Sequence, residues 1–199
     1  MLLSMQKLLG IVVLGLLLNG NAFAKNLFEY ISSDHPPKLI VGYDGFNEAL
    51  NKEINDLDIY LGIGKGKKPI YNSFNQLLIN SDADGEIEFN DENYFIVSGC
   101  RPHSCPEKGF LWIDKKEKIV LAAMIHYFID DKKDIDNGYL LIISKKFKSY
   151  NDLPRKFNED LSAWLSTRST WDYVKNDIKK LIPSVKRFVN SENKIKKIK

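Results

Sequence analysis

The residues best suited by type to do chemistry lie in one short segment, residues 98–105. It reads SGCRPHSC, with a basic residue, a proline and a histidine between two cysteines. Pro102 stiffens the tip of such a segment, and a disulfide between Cys100 and Cys105 would hold its base together. His103 can donate hydrogen bonds to carboxylates, which favour the charged imidazolium. The segment predicts a rigid loop that leaves a strand sharply at the glycine and presents residues to a target. Those residues are Arg101, Pro102, His103 and Ser104.

The two cysteines admit other interpretations. Four residues separate Cys100 from Cys105, so the pair lacks the two-residue spacing of thioredoxin-type motifs. A free Cys100 with His103 as its base would be a thiol nucleophile, but an oxidising compartment would oxidise the pair and remove that nucleophile. The disulfide closes a small loop, worth about 2 kcal/mol by chain entropy. A strapped β-turn with His103 in solvent explains the same residues without a function.

Two further segments imitate ligand sites. Counted from Asn80 to Asp91, acids at positions 3, 5 and 12 and a glycine at position 6 resemble a calcium loop. Its first and last ligands are of the wrong type and a strand follows it, so an Asp-Gly turn is the simpler interpretation. The glycines of residues 62–66 lack the spacing of a phosphate loop and indicate a basic turn. We expect no metal, no cofactor and no enzymatic activity.

The hydrophobic period supplies the elements that position the loop. Apolar residues four, four, three and four apart predict a helix over residues 43–61, and a shorter helix is predicted over 73–79. Aromatic and β-branched runs joined by short polar links then predict an antiparallel meander. Its strands are residues 86–89, 94–97, 110–113, 119–128 and 139–143. Helical patterns return near the end of the chain. Asn151 or Asp152 can cap a helix that has Pro154 in its first turn and runs to Leu165. Ser169 or Thr170 can cap a second helix over 171–182, which Pro183 ends.

These elements predict an α+β fold: an antiparallel sheet of about five strands covered by helices, with a C-terminal helical pair. Residues 25–190 form a single domain in this prediction, and the basic tail 191–199 is disordered. The chain has 199 residues, of which 44% are hydrophobic, enough for one domain with its own core. The net charge of +3 argues against a nucleic-acid binder, and three histidines with two cysteines exclude the richer zinc sites.

Residues 1–24 have the pattern of a cleavable signal peptide. Lys7 precedes an uninterrupted apolar run over residues 8–18, and the next six residues end in Ala-Phe-Ala. The run is short for a bilayer core of about 30 Å, although an uncleaved anchor or a buried helix stays an alternative. No cysteine follows the run, which argues against a lipid anchor. We expect cleavage after Ala24, export to the periplasm and no stable membrane anchor.

Residues 100–105 resemble the signature of the periplasmic inhibitors of vertebrate lysozyme, the Ivy proteins. That signature is CKPHDC, whereas this chain has CRPHSC after a glycine and before an aromatic strand, with Arg101 for Lys and Ser104 for Asp. The signal peptide and the order of helix then sheet are similar too. The resemblance extends loosely over residues 43–147, and the segment after Tyr150 has no counterpart in the best-known members.

The resemblance implies a role for the loop. In that family the strapped loop enters the active-site cleft of c-type lysozyme, and its histidine contacts the two catalytic carboxylates. By resemblance His103 takes this role. This chain has Ser104 where the family has Asp, and the loss of that Asp affects the rigidity of the loop and its contacts with the target. The small positive charge offers no electrostatic attraction to c-type lysozymes, which are basic.

The predicted function is a periplasmic proteinaceous inhibitor that plugs a c-type lysozyme or related muramidase and catalyses nothing. An immunity protein against a peptidoglycan-degrading toxin would plug a different target in the same manner. A non-inhibitory binding or structural module would use the loop only as a staple. Nucleic acid is not an expected partner, and a homodimer is left open.

Overall fold

The computed structural model describes residues 25–32, 34–60, 66–78, 87–102, 104–126, 139–166 and 185–198, with the backbone alone at 104–106 and 185. The predicted signal peptide, most of the glycine stretch and of the calcium-like segment, and the second C-terminal helix lie outside these residues.

Three short helices open the described chain: α1 (Leu27–Ile31), α2 (Pro37–Val41) and α3 (Phe46–Asn51). The predicted helix over 43–61 is wrong in extent, because α3 ends at Asn51 and strand β1 (Asp58–Tyr60) follows. Ile54 and Ile59 are buried although neither lies in a helix. The apolar spacing therefore records contacts with the core rather than a continuous helical backbone.

A small two-stranded sheet precedes the next helix. Strand β1 pairs antiparallel with β2 (Lys67–Pro69), and α4 (Ile70–Leu78) follows directly. The predicted helix over 73–79 is confirmed, with one more turn at its start. Phe74 and Leu77 of α4 are fully buried, so this helix packs one apolar face on the main sheet.

The main sheet has seven strands in the order β3-β4-β5-β6-β7-β8-β9. They are β3 (Glu88–Asn90), β4 (Tyr94–Arg101), β5 (Ser104–Asp114), β6 (Ile119–His126), β7 (Tyr139–Ile143), β8 (Val185–Val189) and β9 (Ile195–Lys197). Neighbours pair antiparallel except β7 and β8, which are parallel. The five predicted strands correspond to β3 through β7.

The prediction of a purely antiparallel, five-stranded sheet with a C-terminal helical pair is therefore wrong, although the α+β class holds. Strand β8 follows Pro183, and β9 lies within the segment expected to be a disordered tail. A parallel neighbour needs a long connection, so β8 lies far from β7 in the sequence. The local pattern around β7 therefore does not predict β8. The lysines of β9 suit an edge strand, where charged side chains discourage further pairing.

The sheet buries an apolar layer on each face. One layer packs against α1 to α4. The other packs against α5 (Arg155–Leu165), which a 3-10 turn (Tyr150–Asp152) precedes. The helix predicted to run to Leu165 is confirmed, but its predicted cap at Asn151 or Asp152 is wrong, because Pro154 is the N-cap. On that face the Phe110 and Trp164 rings stack with centroids 5.2 Å apart, and Trp112 Nε1 donates to Asp160 Oδ2 at 2.8 Å. Both sides of the central strands are thus fixed, which gives the hairpin they form a firm base.

Candidate functional site

The predicted loop is the tip of the hairpin that joins β4 to β5. The two strands pair regularly as far as Cys100, which lies opposite Lys108, and the register then shifts so that Arg101 lies opposite Ser104. The extra backbone lies in β5 between Ser104 and Lys108, as a bulge beside the tip. Gly99 lies inside the regular ladder, so the expected sharp exit from the strand at this glycine is wrong.

The cysteines and the tip are described only in part. Cys100 is buried, with 1% of its surface exposed, and it is disulfide-bonded. The side chain of Cys105 is not among those described, so its pairing with Cys100 stays a prediction. Pro102 is exposed at the tip, while His103 lies outside the described residues. The contacts predicted for His103 and Ser104 therefore stay predictions.

The Arg101 side chain points toward α4. Its Nη1 donates to Gln76 Oε1 at 2.7 Å, and its Nη2 donates to Ser73 Oγ at 2.8 Å. Its Nε makes an ion pair with Glu107 Oε2 on β5, and only 20% of the side chain is exposed. The planar guanidinium suits this position because its fixed fork of N–H groups can meet several acceptors at once. Arg101 thus fastens the base of the hairpin to the neighbouring helix.

Glu107 carries the network on to the next strand. Its side chain is 6% exposed, and its Oε1 lies 3.2 Å from Nδ1 of His126 at the end of β6. The other ring nitrogen, Nε2, lies 2.8 Å from the carbonyl oxygen of Tyr60 in β1. Each ring nitrogen therefore lies near one oxygen atom, Nδ1 near the Glu107 carboxylate and Nε2 near the Tyr60 carbonyl. We call Arg101, Glu107 and His126 the buried charge row.

Close packing of α4 on β5 brings the partners of Arg101 within reach. A Cβ added at Gly109 would lie 2.7 Å from the Cβ of Leu77, closer than side chains approach one another. The glycine therefore permits a short distance between helix and sheet. This distance sets Ser73 and Gln76, on the same helix, against the end of β4.

Sequence reasoning missed Glu107 and His126. Both lie on strands whose other residues are mainly apolar, and both side chains are buried. Acidic and basic residues are almost never fully buried unless they are paired. A titratable residue among the apolar residues of the predicted strand 119–128 was therefore the available signal for His126. Glu107 lies outside the predicted strand 110–113, so the strand pattern gave no signal for it.

Among the described residues, no group of three or more His, Cys, Asp or Glu side chains could hold a metal ion. Within the same residues, no helix is long and apolar enough to cross a membrane.

The hairpin and its tethered base define a protein that presents a hairpin tip from a well-packed α+β sheet. Comparison with models of protein families matches residues 67–169 to the family described as Inhibitor of vertebrate lysozyme (Ivy). This match spans more than half of the chain and contains the whole loop, so the chain belongs to the Ivy family. Comparisons with curated proteins and with solved structures gave no match.

The family assignment confirms the resemblance of CRPHSC to the family signature. It also extends it, because the matched residues include α5, for which the sequence resemblance offered no counterpart. The members of this family are periplasmic proteins that inhibit lysozyme, and it is not a family of enzymes.

Proposed function

We propose that this protein inhibits a lysozyme in the periplasm by inserting the tip of the β4–β5 hairpin into the active-site cleft. Membership of the Ivy family supports inhibition. The tethered base of the hairpin carries the plugging mechanism: Cys100 is buried in the sheet and Arg101 is held by three partners. A loop that is ordered before docking loses little conformational entropy when it binds.

In this proposal His103 disables the chemistry of the target. A glycosidase needs one carboxyl group protonated as an acid and the other ionised. An imidazolium placed between them blocks substrate and holds both carboxylates in charge-assisted hydrogen bonds. The family has an acid where this chain has Ser104, and here the ion pair between Arg101 and Glu107 supplies rigidity from beneath the loop.

Much of the positive charge of this chain lies at the β7–β9 edge of the sheet. Residues 144–151 and 185–198 contain eight Lys and Arg against one acid, Glu192. They follow or form the strands at the β7–β9 edge of the sheet, several strands away from the hairpin. Since the whole chain carries only +3, the remaining residues together are net negative. The excess positive charge therefore lies far from the proposed contact surface.

Inhibition constants against c-type, g-type and bacterial muramidases test this function. We expect His103→Ala to keep the fold and to weaken inhibition roughly 10- to 1000-fold, because it removes a charge-assisted contact. His35→Ala, at an exposed histidine in the N-terminal helical layer, is the matched control and should change nothing.

The other outcomes discriminate the alternatives. Inhibition of bacterial muramidases alone would indicate an immunity protein, and inhibition of none would leave a binding or structural module. If His103→Ala inhibits as well as the unaltered protein, the histidine is not the plug. Replacing both cysteines by serine should weaken inhibition and abolish any effect of reductant, since the loop must then be ordered on docking.

A further inference from the structure

A second site of different chemistry lies at the far edge of the sheet. A surface pocket of about 320 Å³ opens where the 3-10 turn before α5 meets β8 and β9. Phe188, which is 1% exposed, and Ile198 give it an apolar floor. Lys148, Lys196 and Lys197 line it, and so do residues 149–151 with two hydroxyls and an amide. The pocket shares no residue with the hairpin.

The lysines of the pocket differ from their neighbours in their contacts. Lys145 Nζ donates to the carbonyl of Lys52, and Lys146 Nζ donates to the carbonyl of Glu117. Within the described residues, by contrast, the ammonium groups of the three pocket lysines make no hydrogen bond or ion pair. The charges of Lys148 and Lys196 are therefore available to a ligand, whereas Lys197 lies opposite Arg187 and its side chain projects from the other face of the sheet.

The register of the strands explains how a lysine reaches an apolar floor. Lys196 lies opposite Phe188 in the antiparallel β8–β9 pair, so both side chains project from the same face of the sheet. That face is the one that carries the apolar layer under α5. An ammonium group beside a buried ring can bind the anionic group of a small ligand while the ring packs against the rest of that ligand.

The surroundings of the pocket are positive. The pKa of the Glu192 carboxyl is lowered, first by a hydrogen bond from Lys194 and by its charge, and further by the charges of Lys196 and Lys148. Glu192 is the single acid in the two basic segments, and Asp152 follows directly after residue 151, so the eight basic residues still outnumber the nearby acids. Such a concentration of one sign attracts anions.

We propose that this pocket binds a phosphate group carried on a sugar-sized ligand. Lysine is a compact point charge that commonly binds phosphate, and several ammonium groups suit a multiply charged anion better than a single carboxylate. Ser149, Tyr150 and Asn151 offer hydrogen bonds to hydroxyl groups, and the apolar floor packs against a ring. The volume lies at the lower end of small-molecule sites, about 300–1,000 Å³.

Titration of the isotope-labelled, disulfide-intact chain by NMR tests this at physiological salt. Glucose 6-phosphate should shift the amides of residues 148–151 and 196–198 saturably, whereas glucose and glucuronate should bind much more weakly. Lys148→Gln with Lys196→Gln should weaken binding roughly tenfold or more, because two charge-assisted contacts are lost. Lys68→Gln with Lys116→Gln removes two exposed charges elsewhere and should leave binding unchanged.

Three results would overturn the proposal: no saturable shift, equal binding of glucose, or equal weakening by the control pair. Inorganic phosphate and phosphatidylglycerol vesicles, with phosphatidylcholine vesicles as their control, distinguish a free phosphate from a lipid headgroup. Both pairs of variants should inhibit lysozyme as well as the unaltered protein, which keeps this test separate from the function proposed for the hairpin.

Discussion

Two sets of ion pairs in this protein look alike by distance and differ in their surroundings. In the buried charge row, the exposed fractions of the side chains are 20% for Arg101, 6% for Glu107 and 0% for His126. On the outer face of α5, Arg155 and Glu159 pair at 2.7 Å with 92% and 53% of their side chains exposed. One set is enclosed between helix and sheet, and the other is surrounded by water.

This difference decides how much each set contributes. Water screens the pair on α5, and such exposed pairs contribute about 0.2–1 kcal/mol. In the buried charge row Arg101 and Glu107 need each other, because removal of one leaves an uncompensated charge in a medium that solvates it poorly. The contact distance alone therefore says little, and burial explains why the row can fix the position of the hairpin.

The largest effect is expected from Glu107→Gln. It removes the one negative charge between Arg101 and His126 and should destabilise the protein by about 3 kcal/mol, at the lower end for a broken buried pair because Arg101 is partly exposed. Urea unfolding measures this, with Glu159→Gln as the matched exposed change. A loss under about 1 kcal/mol would mean that burial does not distinguish the two sets.

Gly109→Ala should come next, since it disturbs the row without touching a charge. The new Cβ would meet Leu77 at 2.7 Å, so α4 must move away from β5. We expect a cost of about 1–3 kcal/mol from overpacking and weaker inhibition, because Ser73 and Gln76 move away from Arg101. Thermal unfolding and an inhibition assay measure the two effects, and unchanged inhibition would show that the helix does not position the hairpin.

Arg101→Lys should have a smaller effect, since it keeps the charge and loses the fork. A lysine can pair with Glu107 but cannot also reach Ser73 and Gln76 with separate N–H groups. We expect about 1 kcal/mol less stability and roughly two- to tenfold weaker inhibition. Arg155→Lys serves as the control and should change neither quantity.

The smallest effect is expected from Arg155→Gln, which breaks the exposed pair on α5. Its free energy of unfolding should stay within about 0.5 kcal/mol of the unaltered protein, and added salt should reduce even that difference. Chemical unfolding at two salt concentrations measures this. A loss comparable to that of Glu107→Gln would remove the distinction between the two regions.

The local pattern predicts the middle of the fold and fails at both of its ends. Strands β3 to β7 pair with neighbours in sequence, and alternation with short polar links is enough to reveal them. The helix predicted over 43–61 fails because Ile54 and Ile59 are buried in irregular chain and strand. The parallel partner of β7 lies more than 40 residues further along the chain, so the sequence near β7 does not predict this pairing.

The same division applies to the candidate site. Six consecutive residues, 100–105, are enough to predict both the loop and the family. The inward direction of Arg101 was not predictable, because its partners Ser73 and Gln76 are more than 20 residues away in the sequence. Contacts of that kind depend on how α4 packs on β5, which only the folded chain determines.

The parallel pair of β7 and β8 also bears on the order in which the chain folds. The hairpins from β3 to β7 close over connections of 12 residues or fewer, whereas β8 must return across more than 40 residues to lie beside β7. Long closures cost more entropy and slow the formation of the contacts they enclose. Strand β8 comes after this long connection, so the edge of β7 stays unpaired until the connection closes. During that interval the nascent sheet is most exposed to pairing with another chain.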